Sequence, residues 1–283
     1  MVVFLNGKFV EAHKARVSVF DHGFLYGDGV YETLRTYEGK PWQFNLHWAR
    51  FVRSAKLLGL TVPYGKSEVL HFLHELMQRN RFRDARIRFT LTRGENGFDF
   101  NTSKKPTFAI IADVFVAQPA SVYAKGVGVV TMTLQRLLPE AKTISLLHQV
   151  LAKRYAFRHR AYETLLVDRG KVTEGSFTNV YIFRRGVLVT PKEDILFGTT
   201  RQTVLAVARR MVRQKAGGVV KIAEKNISLQ QLYDADEIFL TSAPRGIIPV
   251  VQVDGKKIGS GKVGPLTGSL MRAYADYVRS VSL

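Results

Sequence analysis

A phenol, a hydroxyl and a guanidinium occupy alternate positions in Tyr31, Thr33 and Arg35. On an extended strand this spacing sends all three to one face and leaves Glu32 and Leu34 on the other. Such a set is suited to orienting a carboxylate, although a solvent-facing sheet surface has the same composition. Arg93 ends a second alternating stretch whose same-face neighbours Ile87, Phe89 and Leu91 are apolar. Its charge therefore emerges from an otherwise buried face and calls for an anionic partner, a role that a substrate carboxylate could fill beside Phe98 and Phe100. Phe197-Gly198-Thr199-Thr200 precedes a helical pattern. Its backbone N–H groups and two hydroxyls would meet at the positive end of a helix dipole, which suits a phosphate; the competing reading makes Thr199 or Thr200 a helix cap.

Other patterns carry less chemistry. Tyr26-Gly27-Asp28-Gly29 has the look of a phosphate loop, but an alternating strand follows it where a dinucleotide fingerprint needs a helix, so it reads as a turn entering a sheet. His71 and His74 share a helix face without a nearby acidic third ligand, and no metal is expected. The absence of cysteine excludes disulfides, thiolate-bound zinc and a catalytic thiol. Lys142, after Pro139-Glu140-Ala141, is not set apart from the other lysines by spacing alone.

The elements that must position these groups follow from hydrophobic period. Alternation predicts strands over 30–37, 87–93, 107–116, 127–131, 164–168 and 179–183. Glu38-Gly39, Arg169-Gly170 and Arg185-Gly186 supply turns between strands. Helices are predicted over 46–58, 69–77, 144–155, 203–212 and 269–278. The stretch with Pro119 and Gly126 between two strands reads as a linker over 118–126, dividing a smaller α/β domain, 1–117, from a larger barrel-like domain, 127–283, in an α+β chain.

A chain of 283 residues that is 46% hydrophobic and 23% charged has the balance of a folded globular protein. Its net charge of +19 raises the question of nucleic acid, but Lys and Arg are dispersed as single residues and pairs, without a polybasic run or a base-stacking signature. Nucleic acid is therefore not expected as a partner; a basic surface that attracts anionic substrates is. No apolar run is long enough for a membrane helix and residues 1–9 read as a strand pair, which makes the cytoplasm the default location.

The segment Ser18-Val19-Phe20-Asp21-His22-Gly23-Phe24-Leu25-Tyr26-Gly27-Asp28-Gly29-Val30-Tyr31-Glu32 resembles the N-terminal signature of the class IV aminotransferases. Phe44-Asn45-Leu46-His47 with Arg50, then Lys142, then Val172-Thr173-Glu174-Gly175-Ser176, then Gly198-Thr199-Thr200-Arg201 extend the likeness in family order. Asp236-Glu237-Ile238-Phe239-Leu240-Thr241-Ser242 and Asp254-Gly255-Lys256 carry it to nearly the whole chain. The resemblance implies a two-domain, fold-type IV homodimer with pyridoxal 5′-phosphate held between its domains and a site completed by the second subunit. It implies that Lys142 carries the cofactor and shuttles the substrate proton, that Glu174 pairs with the ring nitrogen, and that Arg50, Thr199 and Thr200 clamp the phosphate. Tyr31, Thr33 and the Ser242-Ala243 turn fall where the family builds its substrate pocket.

Within the family, the residues depart from subgroup patterns. Glu32-Thr33-Leu34-Arg35 stands where branched-chain enzymes carry Glu-Gly-Ile-Arg, and Phe98 and Phe100 stand where D-amino-acid enzymes place an Arg-x-His carboxylate trap. Arg35, Arg93 and Arg245 are the guanidinium groups left to bind carboxylates. The expected function is transamination between an amino acid and a 2-oxo acid, with D-amino acids placed ahead of branched-chain L-amino acids. Aminodeoxychorismate lyase is the alternative chemistry on the same cofactor.

Overall fold

The computed structural model describes residues 1–100 and 105–282, and its chain divides into two compact units. The first comprises 1–116 and 140–146, with 282; the second comprises 117–139 and 147–281.

In the first unit, strands β1 (Val2–Leu5), β2 (Lys8–Glu11), β3 (Gly29–Tyr37), β4 (Lys40–Pro41), β5 (Ala85–Thr92) and β6 (Thr107–Val114) form one antiparallel sheet in the order β2-β1-β6-β5-β3-β4. Helix α1 (His22–Tyr26) precedes β3, while α2 (Phe44–Leu57) and α3 (Lys66–Asn80) supply Phe51, Ala55, Leu73 and Leu76 to a core shared with Leu34, Ile87, Phe89 and Phe108. Burial of these apolar chains, at about 1.5–3 kcal/mol for each large one, holds the helices to one sheet face. The register pairs Thr33 with Arg88 and Tyr31 with Thr90. Because paired residues share a face, Tyr31, Thr33, Arg35, Arg86, Arg88 and Thr90 all lie on the side away from that core.

The second unit contains α4 (Ala120–Lys125), β7 (Val127–Thr133), α5 (Leu147–Arg158), β8 (Glu163–Asp168), β9 (Lys171–Gly175), β10 (Asn179–Arg184), β11 (Val187–Thr190), α6 (Thr199–Arg213), β12 (Lys221–Glu224), β13 (Ile227–Ser228), α7 (Leu229–Tyr233), β14 (Glu237–Ser242), β15 (Gly246–Val253), β16 (Lys256–Lys257) and α8 (Pro265–Ser282). Its ten strands form a mixed sheet in the order β12-β11-β10-β14-β15-β7-β8-β9-β13, with β16 on β15. Val129, Leu165, Val172, Val180, Ile182, Ile238, Leu240 and Ile248 belong to one buried cluster, so the sheet curls round its own core as a half-barrel. The expected α+β class with a barrel-like second part is therefore observed.

The boundaries differ from expectation at informative places. Residues 118–126, expected as a linker, contain α4 and belong to the second unit; Tyr123 donates its hydroxyl to the Arg245 carbonyl at 3.0 Å. The helix expected over 144–155 begins only at Leu147, because Ile144 N–H bonds the Gly29 carbonyl at 2.9 Å and Thr143 bridges Val30. Residues 142–144 are thus captured by β3, a long-range pairing that local periodicity does not encode. Helix α8 starts at Pro265 rather than 269, where the Glu237 carboxylate accepts from Leu266 and Thr267 N–H at 3.0 and 2.7 Å and satisfies donors that no local residue caps. At the expected turns Glu38-Gly39, Arg169-Gly170 and Arg185-Gly186, both residues have positive φ, the geometry of a two-residue hairpin loop.

Candidate active site

Lys142 belongs to the first unit and is held by its backbone. Its N–H donates to Ser54 Oγ at 3.0 Å, and its carbonyl accepts from Tyr31 N–H at 2.9 Å. The half-buried side chain brings Nζ to 4.5 Å from the centroid of the buried Tyr31 ring. An amine fixed at its root and free in its last bonds is the arrangement a nucleophilic lysine requires.

Behind Tyr31, the alternation of β3 turns Glu32 into the core. Arg50 Nε and Nη2 bond the two Glu32 oxygens at 2.6 and 2.8 Å, and His47 Nδ1 lies 2.7 Å from Oε2, all three side chains being buried. Burial raises the Glu32 carboxyl, but Arg50 and then His47 outweigh it and hold it well below the ordinary carboxylate range. Burial also lowers His47, against the opposing pull of Glu32. The ring is therefore neutral at pH 7, and since an ionised carboxylate only accepts, the Nδ1 proton points at Glu32. The guanidinium of Arg50 is consequently oriented before any ligand arrives.

This triad has a measurable pH dependence. The unfolded imidazole takes up a proton near pH 6.5, whereas native His47 does so only at lower pH. Between those values the unfolded chain binds more protons, so stability falls as pH falls, by at most about 1.4 kcal/mol per pH unit for this group. Glu32 continues the trend, its contribution being present above the ordinary carboxylate value and lost as pH falls through its depressed one. Urea midpoints should decline from pH 7.5 to 5.5 less steeply in His47→Gln than in the parent. His148, lowered by burial and by Arg136, acts in the same direction in both proteins. A His47 resonance titrating at or above 6.5 would contradict this account.

On the opposite face of β3 and β5, the Arg88 guanidinium lies 3.9 Å over the Tyr31 ring, and its Nε donates to Thr90 Oγ1 at 3.3 Å. Burial lowers its pKa, and among the described residues no carboxylate pairs with it. Arg35 is packed between the Tyr37 and Phe115 rings at 3.8 and 3.6 Å. Arg93 differs from expectation: its anionic partner is Asp28, at 2.5 Å from Nε, and Nη2 donates to the Leu58 carbonyl at 2.8 Å. Phe98 and Phe100 are each 75% exposed, and the Phe100 ring lies 5.1 Å from that of Tyr26. The Arg93 charge does meet an anion, but the chain itself supplies it.

In the second unit, Glu174 is the penultimate residue of β9, with its carboxylate buried and held from two sides. Arg136 Nη1 pairs with Oε1 at 2.5 Å, and Leu196 N–H donates to Oε2 at 3.0 Å. Asn179 Nδ2 grips the carbonyl of the same Leu196 at 2.8 Å. This fixes the approach to α6, whose N-cap is Gly198; a Cβ there would lie 2.2 Å from Asn179 Oδ1. Thr199 and Thr200 are thus the first helical residues, both buried, and neither is the cap that the sequence offered as an alternative. A helix of 15 residues presents its first N–H groups here, an anion-binding feature.

Ser242 closes β14, and Arg245 N–H bonds its carbonyl at 3.1 Å across the Ser242-Ala243-Pro244-Arg245 turn. Arg245, expected among the substrate cations, instead directs Nη1 toward buried Glu163, 3.9 Å away. The sequence-derived site residues divide accordingly. Lys142, Tyr31, Thr33, Arg35, Arg50 and Arg93 lie in the first unit, and Glu174, Thr199, Thr200, Ser242 and Ala243 in the second. Arg88, Arg136 and Glu163 escaped sequence reasoning. Arg88 carried a signal, since it pairs with Thr33 in the β3–β5 register; Arg136 and Glu163 gain meaning only through tertiary contacts. Among the described residues, no group of three or more His, Asp or Glu side chains is placed to hold a metal ion.

The chain is similar to known proteins along nearly its whole length. Residues 29–253 match the model of the amino-transferase class IV family. The chain is 38% identical over 288 residues to a putative branched-chain-amino-acid aminotransferase of Methanocaldococcus jannaschii, covering 98% of this chain and 96% of the other. It is 32% identical over 286 residues to a D-alanine aminotransferase of Staphylococcus aureus strain N315, covering 99% of each. Among solved structures, the branched-chain aminotransferase of Thermoproteus uzoniensis with norvaline superposes with a TM-score of 0.89 at 30% identity, over 99% of this chain and 95% of that one. The branched-chain amino acid aminotransferase of Escherichia coli gives 0.88 at 26%, over 97% and 93%.

Proposed function

The chain belongs to the class IV aminotransferases, and from that premise we propose that it is a pyridoxal 5′-phosphate enzyme exchanging an amino group between a D-amino acid and a dicarboxylic 2-oxo acid such as 2-oxoglutarate. Each unit offers groups of the kind the cofactor needs: in the first, an amine anchored at its root and a pre-oriented guanidinium at Arg50; in the second, a buried carboxylate fixed in orientation by Arg136 and Leu196 and a helix N-terminus at Thr199 and Thr200. Lys142 would hold it covalently, Glu174 would take its ring nitrogen, and Arg50 with Thr199 and Thr200 would take its phosphate. When bound, this cofactor supplies an electron sink for the pair left on the substrate α-carbon. Lys142, freed when the substrate amine takes its place on the cofactor, would move the α-proton, Glu174 would keep the ring nitrogen protonated, and Arg136 would keep the Glu174 carboxylate aimed.

One observation carries the dicarboxylic preference. Arg88 is a partly buried cation on the same face as Tyr31 and Thr33, beside the ring that Lys142 overlies, and the described residues give it no anion. A buried guanidinium is costly without one, so a second substrate carboxylate is its natural partner. Thr33 and three arginines also make this face a poor bed for a branched apolar side chain. The D-hand is supported by full-length likeness to the D-alanine enzymes; the competing reading, a branched-chain L-donor, is supported by the 38% relative.

Replacing Arg88 by Leu should raise KM for 2-oxoglutarate by roughly 10- to 100-fold, as for loss of a charged hydrogen-bond pair, and change KM for pyruvate much less. The same assay should be run with D-alanine, D-glutamate, L-leucine and aminodeoxychorismate as donors. Turnover of L-leucine with no half-reaction from either D-amino acid replaces the D-reading by the branched-chain one, and pyruvate release from aminodeoxychorismate without amino transfer replaces both by the lyase. A homodimer belongs to the same proposal: Phe20, Phe24, Phe98 and Phe100 expose 47%, 73%, 75% and 75% of their surfaces, an apolar display suited to burial against a second copy. No helix among the described residues is long and apolar enough to cross a membrane, and a cytoplasmic location completes the proposal.

A further inference from the structure

Glu163, at the start of β8, is completely buried, and the chemistry assigned above makes no use of it. Its Oε1 accepts from Ser176 Oγ and from Thr164 N–H at 3.0 Å, with Lys153 Nζ at 3.5 Å. Its other oxygen, Oε2, has no hydrogen-bond partner among the described residues and faces Arg245 Nη1 at 3.9 Å, which likewise has none. At that separation the ionic attraction persists in a buried setting, although the hydrogen bond does not. Arg245 is tethered twice more: its carbonyl accepts from the Tyr123 hydroxyl at 3.0 Å, and its N–H closes the turn onto Ser242 at 3.1 Å. Ser176 lies two residues beyond Glu174 in the chain. A single carboxylate therefore ties the segment that carries Glu174 to the turn that carries Ser242 and Ala243.

We infer that Glu163 and Arg245 are positioning residues: their ion pair anchors the Ser242-Ala243 turn and so sets affinity for the amino acid, without either side chain touching it. The inference rests on the reading of that turn as part of the substrate pocket. The physical motive is that Glu163 Oε2 is buried and Arg245 Nη1 is the cation that faces it. A carboxylate buried at this depth is stabilised only by cations and donors, and a guanidinium drawn inward by it carries the turn backbone along.

The test uses the holoenzyme and the variants Glu163→Gln, Arg245→Gln, Arg245→Lys and the double Gln variant. Three quantities are read: KM and kcat for the amino donor, position of the cofactor absorbance band, and amide exchange in the peptide 240–247. Each single Gln variant should raise donor KM by roughly tenfold, with kcat changed much less, an unshifted band and faster exchange in 240–247. Because both cut one link, the double variant should be no worse than either single one, and Arg245→Lys should recover part of the loss. Additive losses, or unchanged exchange in 240–247, overturn the anchor. Faster exchange with unchanged KM upholds the anchor and instead removes the turn from the substrate pocket. Should Glu163→Gln not fold, the two Arg245 variants carry the test, since they leave Ser176, Thr164 and Lys153 on the carboxylate.

Discussion

Lys142→Ala should lose transamination by at least about 10⁴-fold while keeping its fold, because the amine is asked both to hold the cofactor and to move the substrate proton. The structure separates these duties from stability. What keeps residues 142–144 beside β3 is backbone: Lys142 N–H on Ser54, Tyr31 N–H on the Lys142 carbonyl and Ile144 N–H on Gly29. The side chain adds the contact of Nζ with the Tyr31 ring at 4.5 Å, worth about 0.5–1 kcal/mol at a partly exposed site. A melting curve within a few degrees of the parent, together with an inactive enzyme, is the expected pair of results. Lys142→Arg sharpens the test, since it keeps a cation over Tyr31 and lacks a nucleophilic amine; it should be as inactive as the alanine variant. Retained turnover in either variant would falsify the assignment.

Glu174→Gln should lower the rate by roughly 10²- to 10⁴-fold with a much smaller loss of bound cofactor, since the amide keeps the shape of the side chain but cannot hold a protonated ring nitrogen. Gln still accepts from Arg136 through one oxygen. Its amide nitrogen, however, replaces the acceptor that Leu196 N–H uses, so stability should fall by about 1–2 kcal/mol. Arg50→Ala should behave in the opposite way. It strips the bidentate partner from Glu32, a carboxylate with no exposure, and should destabilise even the cofactor-free protein by about 3–5 kcal/mol in addition to weakening cofactor retention. Urea titration of both apoproteins, alongside cofactor titration by absorbance, separates the two roles. Equal effects of both substitutions on both quantities would merge them into one.

The corrections share a physical origin. The apolar strand neighbours of Arg93 demand an anion, and Asp28, 65 positions earlier, meets the demand. Arg245 likewise faces an anion of the chain itself, Glu163. Sequence spacing shows that a charge must be compensated but not by whom, since the partner comes from a distant segment. Helix limits shift for the same reason: β3 captures residues 142–144, and Glu237 caps α8. Local propensity is overridden wherever a backbone donor or acceptor finds a partner elsewhere.

The sequence by itself determined the class of the protein, the alternating strands, the hairpin turns with positive φ and the ordered residues that mark the family, because period, glycine placement and motif order are local properties of a chain. It also determined that Tyr31, Thr33 and Arg35 share a face and that Glu32 does not, since a strand's period is two. Tertiary structure alone decided what each charge meets. It gave Glu32 to Arg50 and His47, Glu174 to Arg136 and Leu196, Asp28 to Arg93 and Glu163 to Arg245, and left Arg88 without an internal anion among the described residues. Electrostatic partners depend on distance and burial in space, and the folding of each sheet over its own core, unlike the pleat of one strand, brings together residues that no spacing in the chain relates.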